Sequence, residues 1–277
     1  MKLSSPLTAL ALLALLLVAI TPAANAKSKA TVWAVGDGAD GGQATLGVGQ
    51  LVERGKPDKF LYLGDVYEDG TAAEFANYYG AAFGRLGPIT APTPGNHEWT
   101  LRAEGYYPYW RGVFGKDIAD YYKFSIGGWE IFSLNSEADH SKNSKQLRWL
   151  RSKVKKPGTC RLAFWHRPRY SGGGNGDQKD VAPLWNALKG RAAIVLAGHD
   201  HQMQRLKRKD GITEFISGAG GNTLLPVWRD QRVAFKNNTT FGALRLKLSR
   251  GVANFAFVDV TGQTLDSGKV RCRRKSG

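Results

Sequence analysis

The chain has 277 residues, with 39 Lys and Arg against 23 Asp and Glu, and a formal net charge of +16. Its 42% of hydrophobic residues suffice for the core of one large or two small domains, which excludes a disordered chain. Two cysteines are too few for a disulfide-stapled miniprotein, no regular repeat marks a solenoid or propeller, and the surplus of cations points to an anionic partner.

In chain order, Lys2 precedes an apolar run, Leu7 to Ile20, followed by Pro22 and the triplet Ala24-Asn25-Ala26. This is the layout of a secretory signal cleaved after Ala26, because the run is shorter than the roughly 20 residues that span a bilayer. The expected product is residues 27–277, secreted, periplasmic or associated with the cell envelope, in one domain, since no linker is long enough to separate two. Strands are predicted at Thr31–Val35, Phe60–Leu63, Trp129–Leu134, Arg161–Trp165, Ala192–Ala197 and Thr213–Ile216, most of them bounded by Gly, Asp or Asn. Helices are predicted at Gln43–Glu53, Thr71–Leu86, Ser144–Val154 and Asp180–Lys189. In the third, Leu147, Leu150 and Val154 form one apolar stripe. Three final strand-like runs, Gly242–Leu248, Val252–Val260 and Thr264–Val270, read as a C-terminal β-meander. The fold class is α/β.

The charge is unevenly placed. Ser141–Gly176 holds ten cations and no acid, Ser267–Gly277 holds five and no acid, and these stretches with Lys2 account for the whole imbalance. Each stretch contains one of the two cysteines.

The chemistry gathers where apolar strands end. The segments are Trp33-Ala34-Val35-Gly36-Asp37, Leu61-Tyr62-Leu63-Gly64-Asp65, Pro94-Gly95-Asn96-His97-Glu98, Phe164-Trp165-His166 and Leu196-Ala197-Gly198-His199-Asp200-His201. Open α/β sheets bind ligands at the carboxyl ends of their strands, so these residues can converge on one site. A single strand-end Asp is usually a turn residue, whereas five such segments argue for a site. His140 belongs to none of them and reads as a surface-loop residue.

In order and spacing the five segments resemble the calcineurin-like metallophosphoesterases, and within them the purple acid phosphatase-like branch, from about Val32 to Gly221. The resemblance implies a four-layer α/β/β/α sandwich and two metal ions. It implies that Asp65 bridges the metals, that Asp37 and His201 complete one site and Asn96, His166 and His199 the other, and that His97 lies just outside the coordination shell. A metal-bridging hydroxide then attacks phosphorus in line, and His97 protonates the departing oxygen or orients the phosphate.

Two departures bear on the metals. Two residues beyond Asp37 stands Ala39, where many relatives have a histidine. Purple acid phosphatases supply a tyrosine three residues after the bridging Asp, where this chain has Glu68, and Tyr67 stands two after. A Tyr67 ligand favours Fe(III), paired with Fe, Zn or Mn, while Glu68 or water in that position favours Mn, Zn or Fe(II). Arg167 and Arg169, followed by the glycine-rich loop Ser171–Asp177, are candidates for phosphate binding or solvated loop cations. Asp200 is expected to orient neighbours rather than bind metal. Trp99, Tyr106, Tyr107 and Trp110 are expected in core packing, with a stacking wall as the alternative.

Cys160 begins the strand that ends at His166, about 20 Å away at roughly 3.3 Å per residue. A bond from Cys160 to Cys272 would tie the last strand to the pole opposite the site and gather the basic stretches into one patch for an anionic envelope polymer, lipid or nucleic acid. The leading reading is a phosphomonoesterase. A phosphodiesterase or nuclease on the same metals is the near alternative, and a non-catalytic binding protein on a phosphatase scaffold is the alternative from another class.

Overall fold

The computed structural model describes Met1 and residues 28–156 and 158–272. The expected export signal and Arg273, Arg274 and Lys275 lie outside the described residues. Two mixed sheets carry the fold. The first runs in the order β13 (Thr264–Arg271), β12 (Val252–Asp259), β11 (Gly242–Ser249), β1 (Lys29–Val35), β2 (Lys59–Tyr62), β3 (Thr90–Pro92). The second runs β10 (Val233–Asn237), β8 (Met203–Leu206), β9 (Thr213–Ser217), β7 (Ile194–Ala197), β6 (Arg161–Phe164), β5 (Trp129–Ser133), β4 (Tyr122–Ile126). Strands β1 to β3 are mutually parallel, as are β5, β6, β7 and β9, so their carboxyl ends share a direction within each sheet. The expected meander is present as the antiparallel run β11 to β13, joined to β1 through β11.

Alternation along each strand builds the layers. Val32 and Ala34 face inward with Leu162, Phe164, Ile194 and Leu196, forming the core between the sheets. Trp33 and Val35 face outward into a second core with α1 (Gln43–Arg54) and the helical segment 72–89. On the far side, Ala163, Trp165 and Val195 pack under α6 (Lys145–Lys153) and α7 (Ala182–Leu188). The result is the expected α/β/β/α sandwich.

The predicted helix Thr71–Leu86 is instead a short α2 (Ala72–Glu74) with a capping box at Thr71, a π turn Phe75–Tyr79, α3 (Gly80–Phe83) and a 3-10 turn Gly84–Ile89. Glycines at 80, 84 and 87 and Pro88 weaken a regular ladder there. Two short helices, α4 (Asn96–Trp99) and α5 (Tyr106–Phe114), follow β3. No helix among the described residues is long and apolar enough to cross a membrane.

Cys160 and Cys272 form a disulfide with Cα atoms 5.3 Å apart, and both cysteines belong to the core between the sheets. The bond spans 112 residues of sequence and joins the end of the last strand to the start of β6. Replacing both cysteines by Ala is expected to lower the unfolding free energy by about 5 kcal/mol in the chain-entropy account. Guanidinium denaturation measures this, and an unchanged midpoint would contradict it.

Candidate metal centre

Each strand-end segment turns its side chain back toward one crease between the sheets. Asp37, Asp65 and His199 take positive φ values of 60°, 69° and 69°, and they are three of the five non-glycine residues in that conformation among the described residues. Such backbone costs roughly 1–3 kcal/mol per residue and concentrates at functional sites. The flanking glycines answer a spatial need. A Cβ on Gly95 would lie 2.0 Å from Asp65 Oδ1, and one on Gly64, at φ 96°, would lie 2.8 Å from His166 Nδ1.

The side chains converge as two groups with one shared member. Ligand atoms of Asp65, His166 and His199 all lie within 4.8 Å of one another, and so do those of Asp37, Asp65 and His201. Asn96 Oδ1 stands 3.0 Å from His166 Nε2, which is itself 3.1 Å from His199 Nδ1. The Tyr67 hydroxyl is 2.9 Å from His201 Nε2, 3.2 Å from Asp65 Oδ2 and 3.4 Å from Asp37 Oδ1. Of the two residues left open by the sequence, Tyr67 enters the cluster, whereas the Glu68 side chain is 79% exposed and approaches only His97.

Backbone carbonyls set the imidazoles. His166 Nδ1 donates to Leu63 O and His201 Nδ1 to Thr223 O, each at 2.9 Å, which turns both Nε2 atoms to the cluster. Burial raises Asp37, with the Asp65 charge adding to it. Burial would also raise Asp65, but His166 and His97 hold it below the carboxylate range. Burial opposes a charged His166, yet Asp65 and Asp37 raise it to about 10. His199 is lowered to about 2 by burial and by the charge of His166, and burial lowers His201 as well. The charge of Asp65 is thus matched by His166, while burial favours the neutral forms of Asp37, His199 and His201. Carboxylate, imidazole, amide and phenol oxygens or nitrogens form a donor set that fits Fe, Zn or Mn.

His97 sits at the rim. Its side chain is 29% exposed, Nε2 lies 3.9 Å from Asp65 Oδ2, and Nδ1 donates to the Glu68 carbonyl. Glu98 was given no role by the sequence reading. It is buried beneath the cluster, where its oxygens accept the backbone N–H groups of Asp65 at 3.2 Å and Val66 at 3.3 Å. Burial and the Asp65 charge raise it to about 8. The available signal was the acid that closes the Gly-Asn-His-Glu motif.

The two arginines are placed differently. Arg167 borders the site, and its charge helps to lower His199, but its Nε is bonded to both Glu137 oxygens at 2.9 and 3.0 Å. Arg169 is not brought to the cluster: its backbone N–H meets Glu214 and its guanidinium stacks 4.3 Å from the Tyr170 ring. Asp200 belongs to neither group. It accepts the Ser171 hydroxyl and the Asn175 N–H, so it fastens the glycine-rich loop, and Asn175 Nδ2 in turn donates to the His199 carbonyl at 2.8 Å. Tyr106 and Trp110 are core residues, Tyr107 bonds Asp120, and Trp99 carries the Arg102 guanidinium. His140 bonds the Ala138 carbonyl and faces Asp180, away from the cluster.

An acid, imidazole and amide cluster at strand ends of both sheets in an α/β/β/α sandwich defines a metallophosphoesterase scaffold. The sequence profile of the calcineurin-like phosphoesterases matches residues 31–203, more than half of the chain, and the chain belongs to that family. No curated protein sequence matches it. Among solved structures it is similar to GAP50, the anchor in the inner membrane complex of Plasmodium (TM-score 0.72, 15% identity, covering 90% of this chain and 91% of the other). It is also similar to the purple acid phosphatase PPD1 of yellow lupin (TM-score 0.72, 16% identity, 88% of this chain), of which it spans 54% of the length. A dimetal phosphatase from Danio rerio matches at TM-score 0.60 and 14% identity, over 88% of this chain and 99% of the other.

Glu214 gives a pH test away from the cluster. Burial raises it from its ordinary 4.5 to about 8, against the backbone N–H groups of Arg169 and Tyr170. A raised acid favours the protonated folded state, so its contribution is fully present below about 4.5 and lost as pH rises through about 8. Urea denaturation of wild type is expected to show falling stability across that window, with a shallower fall in Glu214→Gln. Equal slopes would contradict the assignment.

Proposed function

We propose that this chain is an exported phosphoesterase of dinuclear-metal type that hydrolyses phosphate monoesters. The carrying observation is the pair of ligand groups that share the Asp65 carboxylate. Asp37, Asp65, Tyr67 and His201 would hold one cation, and Asp65, Asn96, His166 and His199 the other. When bound, such a pair acidifies water and offsets phosphoryl charge, and iron paired with iron, zinc or manganese suits a phenol-containing set.

The chain's own groups supply the rest. His97 keeps its Nδ1 proton on the Glu68 carbonyl, so the proton it passes to the departing oxygen leaves from Nε2, which faces the cluster. Glu98 fixes the backbone at Asp65, and Asn175 fixes that of His199. Arg167, paired with Glu137, orders the rim beside His199 and adds positive charge there. The disulfide supports an oxidising compartment, in keeping with export. A purely anchoring role, as the description of GAP50 names for that protein, would leave seven convergent donor groups without use.

Turnover of p-nitrophenyl phosphate is expected to exceed that of the bis ester, and chelation is expected to abolish both. His97→Ala is expected to keep its metals and lose roughly 10²–10⁴ in kcat, whereas Asp65→Asn loses metals and turnover together. Full activity in either variant would sink the assignment, and faster diester cleavage would move the substrate class to diesters.

A further inference from the structure

Part of the two cation-rich stretches is occupied by partners, and Arg273, Arg274 and Lys275 lie outside the described residues. Arg161 is buried against Glu130, Arg167 pairs with Glu137, Arg169 stacks on Tyr170, and Arg148 and Arg151 bond the carbonyls of Asn143 and Lys142. A basic surface that includes Lys269 and Arg271 of the second stretch lies on the outer face of the first sheet. Strand register places Lys29, Ser249, Val252 and Arg271 side by side in one row across β1, β11, β12 and β13. The next row on the same face is Thr31, Lys247, Asn254 and Lys269, and the third brings Arg245 beside Trp33. Lys29, Lys247, Lys269 and Arg271 are exposed, and Arg245 is half-buried over the Trp33 ring. None of the five takes part in a salt bridge among the described residues. Asp58, at the edge, accepts the Thr31 N–H. With strands about 4.8 Å apart and same-face residues about 7 Å apart, five cations occupy an area of about 14 by 14 Å.

We infer that this face docks the protein on an anionic lipid bilayer. A bilayer with acidic headgroups presents a negative surface that attracts clustered Lys and Arg side chains. Single-stranded nucleic acid needs exposed aromatic platforms, whereas Trp33, under Arg245, and Phe255 are both buried. Duplex readers insert a helix or ribbon into a groove, and this face offers neither. Both chain segments that leave the described fold do so from its first row. Lys29 follows the apolar export segment, and Arg271 precedes Cys272 and the cations Arg273, Arg274 and Lys275. Lys29 is eight residues before Asp37, about 26 Å at 3.3 Å per residue, so docking leaves the metal cluster open.

Sedimentation of the full chain with vesicles of one part phosphatidylglycerol to two parts phosphatidylcholine tests this. Binding is expected, with none to phosphatidylcholine alone and release at about 1 M salt, where the screening length is roughly 3 Å. Lys247→Glu with Lys269→Glu is expected to cut partitioning by about fivefold or more per cation removed, with p-nitrophenyl phosphate turnover unchanged. Lys29→Glu with Arg271→Glu should read the same if the first pair disturbs the fold. Unchanged partitioning in both pairs, equal binding to neutral vesicles, or displacement from vesicles by duplex DNA would overturn the proposal.

Discussion

The constraint on which the site depends is that one carboxylate, Asp65, must face two groups of donors at once from a fully buried position. Asp65 comes from the first sheet, whereas His166, His199 and His201 come from the second, so the shared position exists only while the two sheets keep their stacking. Several features serve that requirement. Gly64 and Gly95 leave room for the carboxylate and for His166, Glu98 holds the backbone beneath it, and carbonyls of Leu63 and Thr223 fix the imidazoles. At the opposite end of the same inter-sheet core, the Cys160–Cys272 bond holds the sheets together.

The buried strands were legible because their apolar runs end in Gly-Asp or Gly-His, so one pattern marks both element and site. Strands with weaker signals were not. Strand β3 is three residues long and ends in Pro92, β4 and β10 are half-buried with alternating exposure, and β8 lies hidden between the His201 motif and a cationic run. Tyr67 stayed ambiguous because one residue of loop length decides which side chain reaches the cluster. Glu98 stayed unassigned because its partners are backbone N–H groups, which carry no residue-type signal. For the arginines after His166 the charge was visible in the sequence, while the partners Glu137 and Tyr170 that the structure gives them were not.

Net charge illustrates the same limit. Counting cations along the chain located them in sequence, but pairing and burial occupy several, and strand register brings five others together from β1, β11 and β13. The candidate metal cluster and the basic sheet face are built from different residues: buried donors suited to cations in the first, exposed side chains of β1, β11 and β13 in the second.

Elemental analysis combined with the visible absorption spectrum of the purified protein, with Tyr67→Phe alongside, tests the shared-carboxylate centre most directly. The account predicts about two equivalents of transition metal per chain, with a tyrosinate-to-iron charge-transfer band that is absent in Tyr67→Phe. Fewer than one equivalent of metal in protein purified without chelator, together with no hydrolysis of p-nitrophenyl phosphate, would contradict it.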